Sequence, residues 1–363
     1  MITEKQVVNN KVRLPKEIYP TKYNLNIHID PFELTYIVDE DIELEIKQKL
    51  ENHICLHSLQ EDYQIQQIDV VFNKTNYACK FYSSGDLLEI IKKFESRHSN
   101  SYEEVIKNFD SQKKEVFDFI YSKDLNQNIH PIEETVYIQL NEDIERDNLS
   151  KINLRIVVKG NVRTQINTGF YLSFDGDTKK LKKESNFKEL WKSNFEELYP
   201  QAYFGVQSEP VESRSIFPCF DEPCFKSVFS VNVSVDHKYV TKHLTIVSNG
   251  PLIQQKGDDK IVVYSFHNTP PMSIYLLTWN MGHFEYIEET IQGKSLRVYT
   301  PVGRLHSGTY AMELAKGAFV FFIEYFGIQF NIRWKYYTLF LFPKVNIELW
   351  KDGDVLHLLL MYS

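Results

Sequence analysis

The feature that most constrains the fold is a recurrent two-residue alternation. "YNLNIHI" and "DIELEIKQKL" place an apolar residue at every second position, the period of a strand with one buried face. "HICLHS" and "YQIQQIDVVF" extend the pattern, so residues from about 20 to 72 read as strands. The same character returns in "ETVYIQL", "KINLRIVVKG", "SVFSVNVSVD", "LTIVSNG", "KIVVYSFHN", "SIYLLTWNMGHFEYIEE" and "GKSLRVYTP". Short strands separated by turn signals predict a mainly β chain, a sandwich or a related all-β domain. Two stretches break the alternation. Residues about 74–133 carry leucine, isoleucine and phenylalanine at helical spacing among Lys and Glu and are expected to form an inserted, partly helical or mobile segment. Residues about 175–199 read as a second, polar insertion. "GTYAMELAKGAFVFFIEYFG" spaces Leu314, Phe319, Phe322 and Phe326 like an amphipathic helix that opens a further domain.

Bulk properties narrow the function. A chain of 363 residues, 43% hydrophobic and 14% aromatic, can bury a large core. Its net charge of -8 disfavours nucleic acid or an anionic membrane as the main partner, because both select a basic face. The N-terminus lacks the apolar run of an export signal, and the apolar stretches are too short or interrupted to span a bilayer. The expected location is the cytoplasm. Cys55, Cys79, Cys219 and Cys224 then read as reduced, packed thiols rather than a disulfide or zinc framework.

The densest stretch is "GVQSEPVESRSIFPCFDEPCFKSVFSV", Gly205 to Val231. Pro218 and Pro223 fix the backbone of a turn that runs into a strand. Asp221 and Glu222 are placed to accept backbone N–H groups in that turn, a structural corner rather than an acid–base pair. This stretch resembles the zinc-dependent gluzincin aminopeptidases, the puromycin-sensitive and alanyl type. "RLPKEIYPTKYNLNIHIDP" looks like that family's opening strand. "GFYLS" is similar to its glycine-phenylalanine-tyrosine-arginine-serine, with Leu172 in place of the arginine. "TPPMSIYLLTWNMGHFEY", "RVYTP" and "GTYAMELAKGAFVFFIEYFGI" follow in the family's order, so the likeness runs from about Arg13 to Ile328.

The resemblance implies a saddle-like β-sandwich N-terminal domain, residues 13–289, followed at 290–363 by a short α/β start of a thermolysin-like catalytic domain. It also implies two substrate-binding residues. Gln207 would line the pocket for the first side chain, and Glu209 would bind the free α-ammonium group of a peptide N-terminus; the alternative for Glu209 is a solvated acid on a loop, the state expected of it here without the catalytic partner. An exopeptidase must measure from the chain end, and a carboxylate in a partly dry cleft suits a cation. The family's His-Glu-x-x-His zinc helix is not found: no histidine of this sequence is followed by glutamate. Its Gly-Ala-Met-Glu-Asn is not found either. The expectation is therefore no catalytic or metal residue and no zinc in this chain, although zinc serves the full-length family. The tail past Phe330 departs from the family. Read one base out of frame, Leu349–Val355 is compatible with Met-Glu-x-Trp-Gly-Cys, though not with the family's asparagine or the glycine before its alanine, so a shifted frame is expected there, with a divergent or spliced end that was never catalytic as the alternative. The aromatic residues from Phe319 to Phe342 then predict self-association through an uncovered apolar surface. The alternatives are a non-catalytic binding module derived from the family, or a gene fragment without a role.

Overall fold

The computed structural model describes residues 13–47, 53–72, 75–77, 79–83, 134–140, 151–174, 181–327 and 336–340. Most of the expected insertion at 74–133, and the tail beyond 340, lie outside these. The described chain is mainly β, as the alternation predicts.

One sheet has eight strands. In spatial order they are Leu252–Gly257, Ile261–Phe266, Val228–Asp236, Ile18–Asp30, Thr35–Ile46, Lys151–Asn161, Tyr63–Phe72 and Thr75–Tyr77. Its centre joins segments far apart in the chain: Ile18–Asp30 lies parallel to Val228–Asp236, with Leu25 opposite Val231 and Ile27 opposite Val233. A second sheet orders Tyr336–Phe340, Lys294–Pro301, Trp279–Ile291, Ala202–Gln207 and Gly169–Phe174, and Leu244–Ser248 also pairs with Trp279–Ile291. A three-stranded sheet holds His53–His57, Thr135–Leu140 and Cys79–Ser83.

The alternation explains the main core. Tyr23, Leu25, Ile27 and Ile29 from the first sheet share one buried cluster with Phe170, Leu172, Phe204, Trp279 and Met281 from the second. Tyr36 and Phe170 meet edge to face across the layers, 5.3 Å between centroids. Part of the second expected insertion belongs to this core. Phe187–Ser193 and Phe195–Leu198 are short helices whose Phe187, Trp191, Phe195 and Leu198 are buried. The Trp191 indole N–H donates to the Pro31 carbonyl at 3.0 Å. The flanking lysines and glutamates hid these aromatic anchors in the sequence.

A second, smaller core lies under the helix Leu305–Phe326. Gly308, Ala311, Met312, Ala315 and Phe319 are its buried residues, and they pack on Leu296 and Val298. The expected stripe is thus corrected. Phe319 faces in, but Leu314 and Phe326 are 43% and 60% exposed. The reason is the small side chains. At Gly308 a Cβ would come within 3.1 Å of Ile287 Cδ1 and Thr300 Cγ2, so the helix packs closely through its small face and turns larger residues outward. Glu285 replaces a local cap: its Oε1 accepts the N–H groups of Gly303, Arg304 and Leu305 at 2.7, 3.1 and 3.2 Å. Gly327, with φ of 63°, closes the helix in the left-handed conformation that glycine tolerates.

Candidate functional site

The strand Ala202–Gln207 delivers the chain to the site. Its alternate residues Ala202, Phe204 and Val206 enter the main core, which fixes the strand's depth. Gln207, half-buried, pairs in register with Gly169 on the neighbouring strand. A turn follows, closed by the Glu212 N–H donating to the Ser208 carbonyl at 2.8 Å. Glu209, Pro210 and Val211 are exposed on it, and the Glu209–Pro210 peptide is cis.

Beyond the turn, each acid has a partner. Glu212 Oε2 receives Arg163 Nη1 at 2.6 Å. Asp221, with its side chain 1% exposed, receives Arg214 Nε at 3.0 Å. Glu222 accepts the Leu14 N–H at 2.6 Å and also pairs with Arg13 at 3.2 Å. Burial raises the Asp221 carboxyl above the usual carboxylate range, and the charge and hydrogen bonds of Arg214 counter that rise. Asp221 and Glu222 thus do hold backbone donors, Arg214 N and Leu14 N, in a closed corner. Glu209 differs. Among the described residues it has neither an ion pair nor a hydrogen bond, and it faces solvent.

The corner is anchored from behind by His57. Its backbone exchanges two hydrogen bonds with Cys219, each 2.9 Å, and its Nδ1 accepts the Asp221 N–H at 3.2 Å. Burial pushes the imidazole pKa down to about 3, helped by the nearby Arg214 charge, so the ring is neutral and acts as an acceptor. Tyr23 receives the Phe220 N–H on its hydroxyl at 3.2 Å. Cys219 and Cys55 are buried, as the packed reading expects; burial pushes the Cys55 thiol up to about 12. Cys224 departs from that reading. It is exposed, beside the exposed Pro223, and its Sγ lies 3.8 Å from Glu222 Oε2.

The sequence singled out Gln207 and Glu209, and the structure places them two residues apart, at the end of one strand and the start of its turn. It did not single out Arg163 and Arg214, the cations that hold the neighbouring acids. Their partners Asp62, Glu134, Glu212 and Asp221 are scattered along the chain, so no local spacing signals the pairs. Among the described residues, no group of three or more His, Cys, Asp and Glu side chains is arranged to hold a metal ion, and no helix is long and apolar enough to cross a membrane.

Comparison with known proteins accounts for this architecture. Residues 100–276 match the Peptidase M1 N-terminal domain. Aminopeptidase M1-A of Oryza sativa subsp. japonica is 38% identical over 128 residues, 35% of this chain and 14% of the relative. Leucyl aminopeptidase of Saccharolobus solfataricus is 29% identical over 210 residues, 54% of this chain and 25% of the relative. Puromycin-sensitive aminopeptidase of Caenorhabditis elegans is 35% identical over 130 residues, 35% of this chain and 13% of the relative. Over these residues the chain is similar to the N-terminal region of the M1 zinc aminopeptidases. The matches span no more than 25% of these relatives' length.

Proposed function

We propose that this chain supplies the part of a metallo-aminopeptidase that recognises the free end of a peptide, with residues 13–289 as the recognising domain and 290–363 as the beginning of the next. Glu209 receives the α-ammonium group and Gln207 lies beside the first side chain. One observation carries the reading: Glu209 is exposed to solvent with no partner among the described residues, while Glu212, Asp221 and Glu222 are each held by a cation or a backbone donor. A free carboxylate on a fixed turn keeps its charge available for an incoming cation.

The His-Glu-x-x-His motif that holds the family's zinc does not occur in these 363 residues, since no histidine here is followed by glutamate. By itself the chain is then expected to bind and not to cleave, to hold no stoichiometric zinc, and to reside in the cytoplasm. We also propose that it self-associates through the outer face of the helix Leu305–Phe326, where Tyr310, Phe321 and Tyr325 are 66%, 56% and 70% exposed. Size-exclusion chromatography of the full chain tests this; a monomer across the micromolar range sinks it.

The test of recognition uses the tripeptide Leu-Gly-Gly and its N-acetylated form, titrated into the full chain and followed by amide shifts. The free amine is expected to perturb residues 207–211, and both acetylation and Glu209→Gln are expected to remove the perturbation. Equal responses to the two peptides, or none to either, overturn the reading. Turnover of an aminoacyl reporter that is sensitive to chelators would overturn the expected inactivity.

A further inference from the structure

We infer that Arg163 is the positioning residue that presents Gln207 and Glu209 as one unit, an inference that rests on reading Glu209 as the amine-binding carboxylate. Arg163 follows the strand Lys151–Asn161 and reaches three separate segments with one guanidinium. Its Nη2 and Nε donate to Asp62 Oδ2 at 2.7 and 3.0 Å. Its Nη1 donates to Thr168, at 3.2 Å to the carbonyl and 3.0 Å to Oγ1, and to Glu212 Oε2 at 2.6 Å. Thr168 immediately precedes Gly169, the register partner of Gln207. Glu212 closes the turn that bears Glu209 through its N–H bond to Ser208. The same planar fork therefore holds the strand beside Gln207 and the far end of the Glu209 turn, a geometry that lysine does not reproduce.

Two further observations support a fixed junction. The Arg163 side chain is only 11% exposed, against 25% for Asp62 and 29% for Glu212, so the pairs are partly shielded from water. Gly169 has φ of +67°, and a Cβ there would stand 2.4 Å from Ser215 Oγ and 3.1 Å from Arg163 Nη1. Ser215 Oγ itself donates to the Glu212 carbonyl at 2.8 Å. The glycine thus leaves room for the groups that close around Glu212. Arg163 touches neither peptide end nor reacting atom; it acts through the turn.

The test compares the full chain with its Glu212→Gln and Arg163→Lys variants. Glu212→Gln is the milder variant because it leaves the Arg163–Asp62 pair in place. Two readouts are taken: amide hydrogen exchange at residues 208–212, and the preference for Leu-Gly-Gly over its acetylated form. Both variants are expected to keep the exchange protection of Ile18–Asp30, to speed exchange in the turn, and to lose about tenfold in that preference, the scale typical of a lost supporting contact. Combining Glu209→Gln with Glu212→Gln should cost no more preference than Glu209→Gln alone. Unchanged exchange at 208–212 in both variants overturns the clamp. Faster exchange with an unchanged preference overturns the positioning role. If the unmodified chain shows no preference while the variants still speed turn exchange, the reading of Glu209 fails and the inference falls with it.

Discussion

The corner from Ser208 to Ser227 and the helix Leu305–Phe326 flank the same second sheet, yet opposite means hold them. The corner is fixed by directional groups. Arg214 sits on Asp221, His57 on the Asp221 amide, Tyr23 on the Phe220 amide, and Ser227 Oγ donates to the Pro20 carbonyl at 2.9 Å. The helix is fixed by shape, through a contact face of Gly308, Ala311, Met312, Ala315 and Phe319 that contains no ionisable group. Hydrogen-bonded charges specify one geometry but leave a large penalty when a partner is lost. Close apolar packing tolerates small changes and comes apart locally. A turn that must present one carboxylate at a set place belongs with the first kind of support.

The largest expected effect comes from breaking the corner. In Arg214→Met the buried Asp221 loses its cation, and an unpaired buried charge costs about 3–5 kcal/mol. Because the corner joins Ile18–Asp30 to Val228–Asp236 at the centre of the large sheet, the loss should appear in the global denaturant midpoint. A cost under about 1 kcal/mol, the size of an exposed ion pair, would show that the corner is held by packing after all.

The matching change in the helix is Met312→Ala, expected to cost about 2–5 kcal/mol at that site. Here the loss should be local. Amide exchange should speed across 305–326 while Ile18–Asp30 keeps its protection. If both regions lose protection together, the small core under the helix is continuous with the main one, and the contrast between the regions fails.

A pH series sharpens the comparison, because the buried His57 anchors the corner whereas the buried face of the helix carries no ionisable group. His57 has a folded pKa of about 3, below the ordinary value near 6.5. Its contribution is present above about pH 6.5 and is lost as pH falls toward about 3, at roughly 1.4 kcal/mol per pH unit. Glu40 acts in the other direction. It is fully buried, neither oxygen has a hydrogen-bond partner among the described residues, and burial, with the charge of Asp39, raises its pKa. Its contribution is present at low pH and declines as pH rises above the ordinary carboxylate range. His57→Asn should flatten the acid limb of a stability–pH curve, and Glu40→Gln the alkaline one. Met312→Ala should lower neither limb selectively. An acid limb of unchanged slope in His57→Asn would mean that the ring is protonated in the fold.

Much of this division was legible in the sequence, and for physical reasons. The two-residue period marks Ile18–Asp30, Thr35–Ile46, Lys151–Asn161 and Val228–Asp236, because each buries one face; Trp279–Ile291 departs from it, since its first six residues are all buried. The prolines of "FPCFDEP" marked the corner, because they fix the backbone whatever packs around it. Gln207 and Glu209 came from family likeness rather than from spacing, since a solvated acid on a loop has no local signature. Two things were hidden. The helix face was misread because large residues weigh most in a periodicity, whereas the close approach to Ile287 and Thr300 selects small ones. The arginine clamps were unreadable because each joins segments far apart in the chain, such as Arg163 to Asp62 and Glu212.

The smallest effect concerns a place where the helix borrows a directional contact at its start, apart from the exposed Lys316–Glu289 ion pair further along. Glu285 lies on the strand Trp279–Ile291 and caps the helix from outside, accepting three backbone N–H groups on one oxygen. Removing a cap costs about 1 kcal/mol, and the carboxylate's charge at a helix N-terminus contributes about 0.3–1 kcal/mol of it. Glu285→Ala should therefore speed amide exchange at 303–308 and leave the corner unchanged. Glu285→Gln keeps an acceptor and loses only the charge, so it should lie between. Its difference from the unaltered chain should shrink as salt rises, because the group is only partly shielded. A Glu285→Gln chain as frayed as Glu285→Ala would assign the contact to charge alone. A chain frayed in neither variant would show that the small-residue face holds the first turn without help.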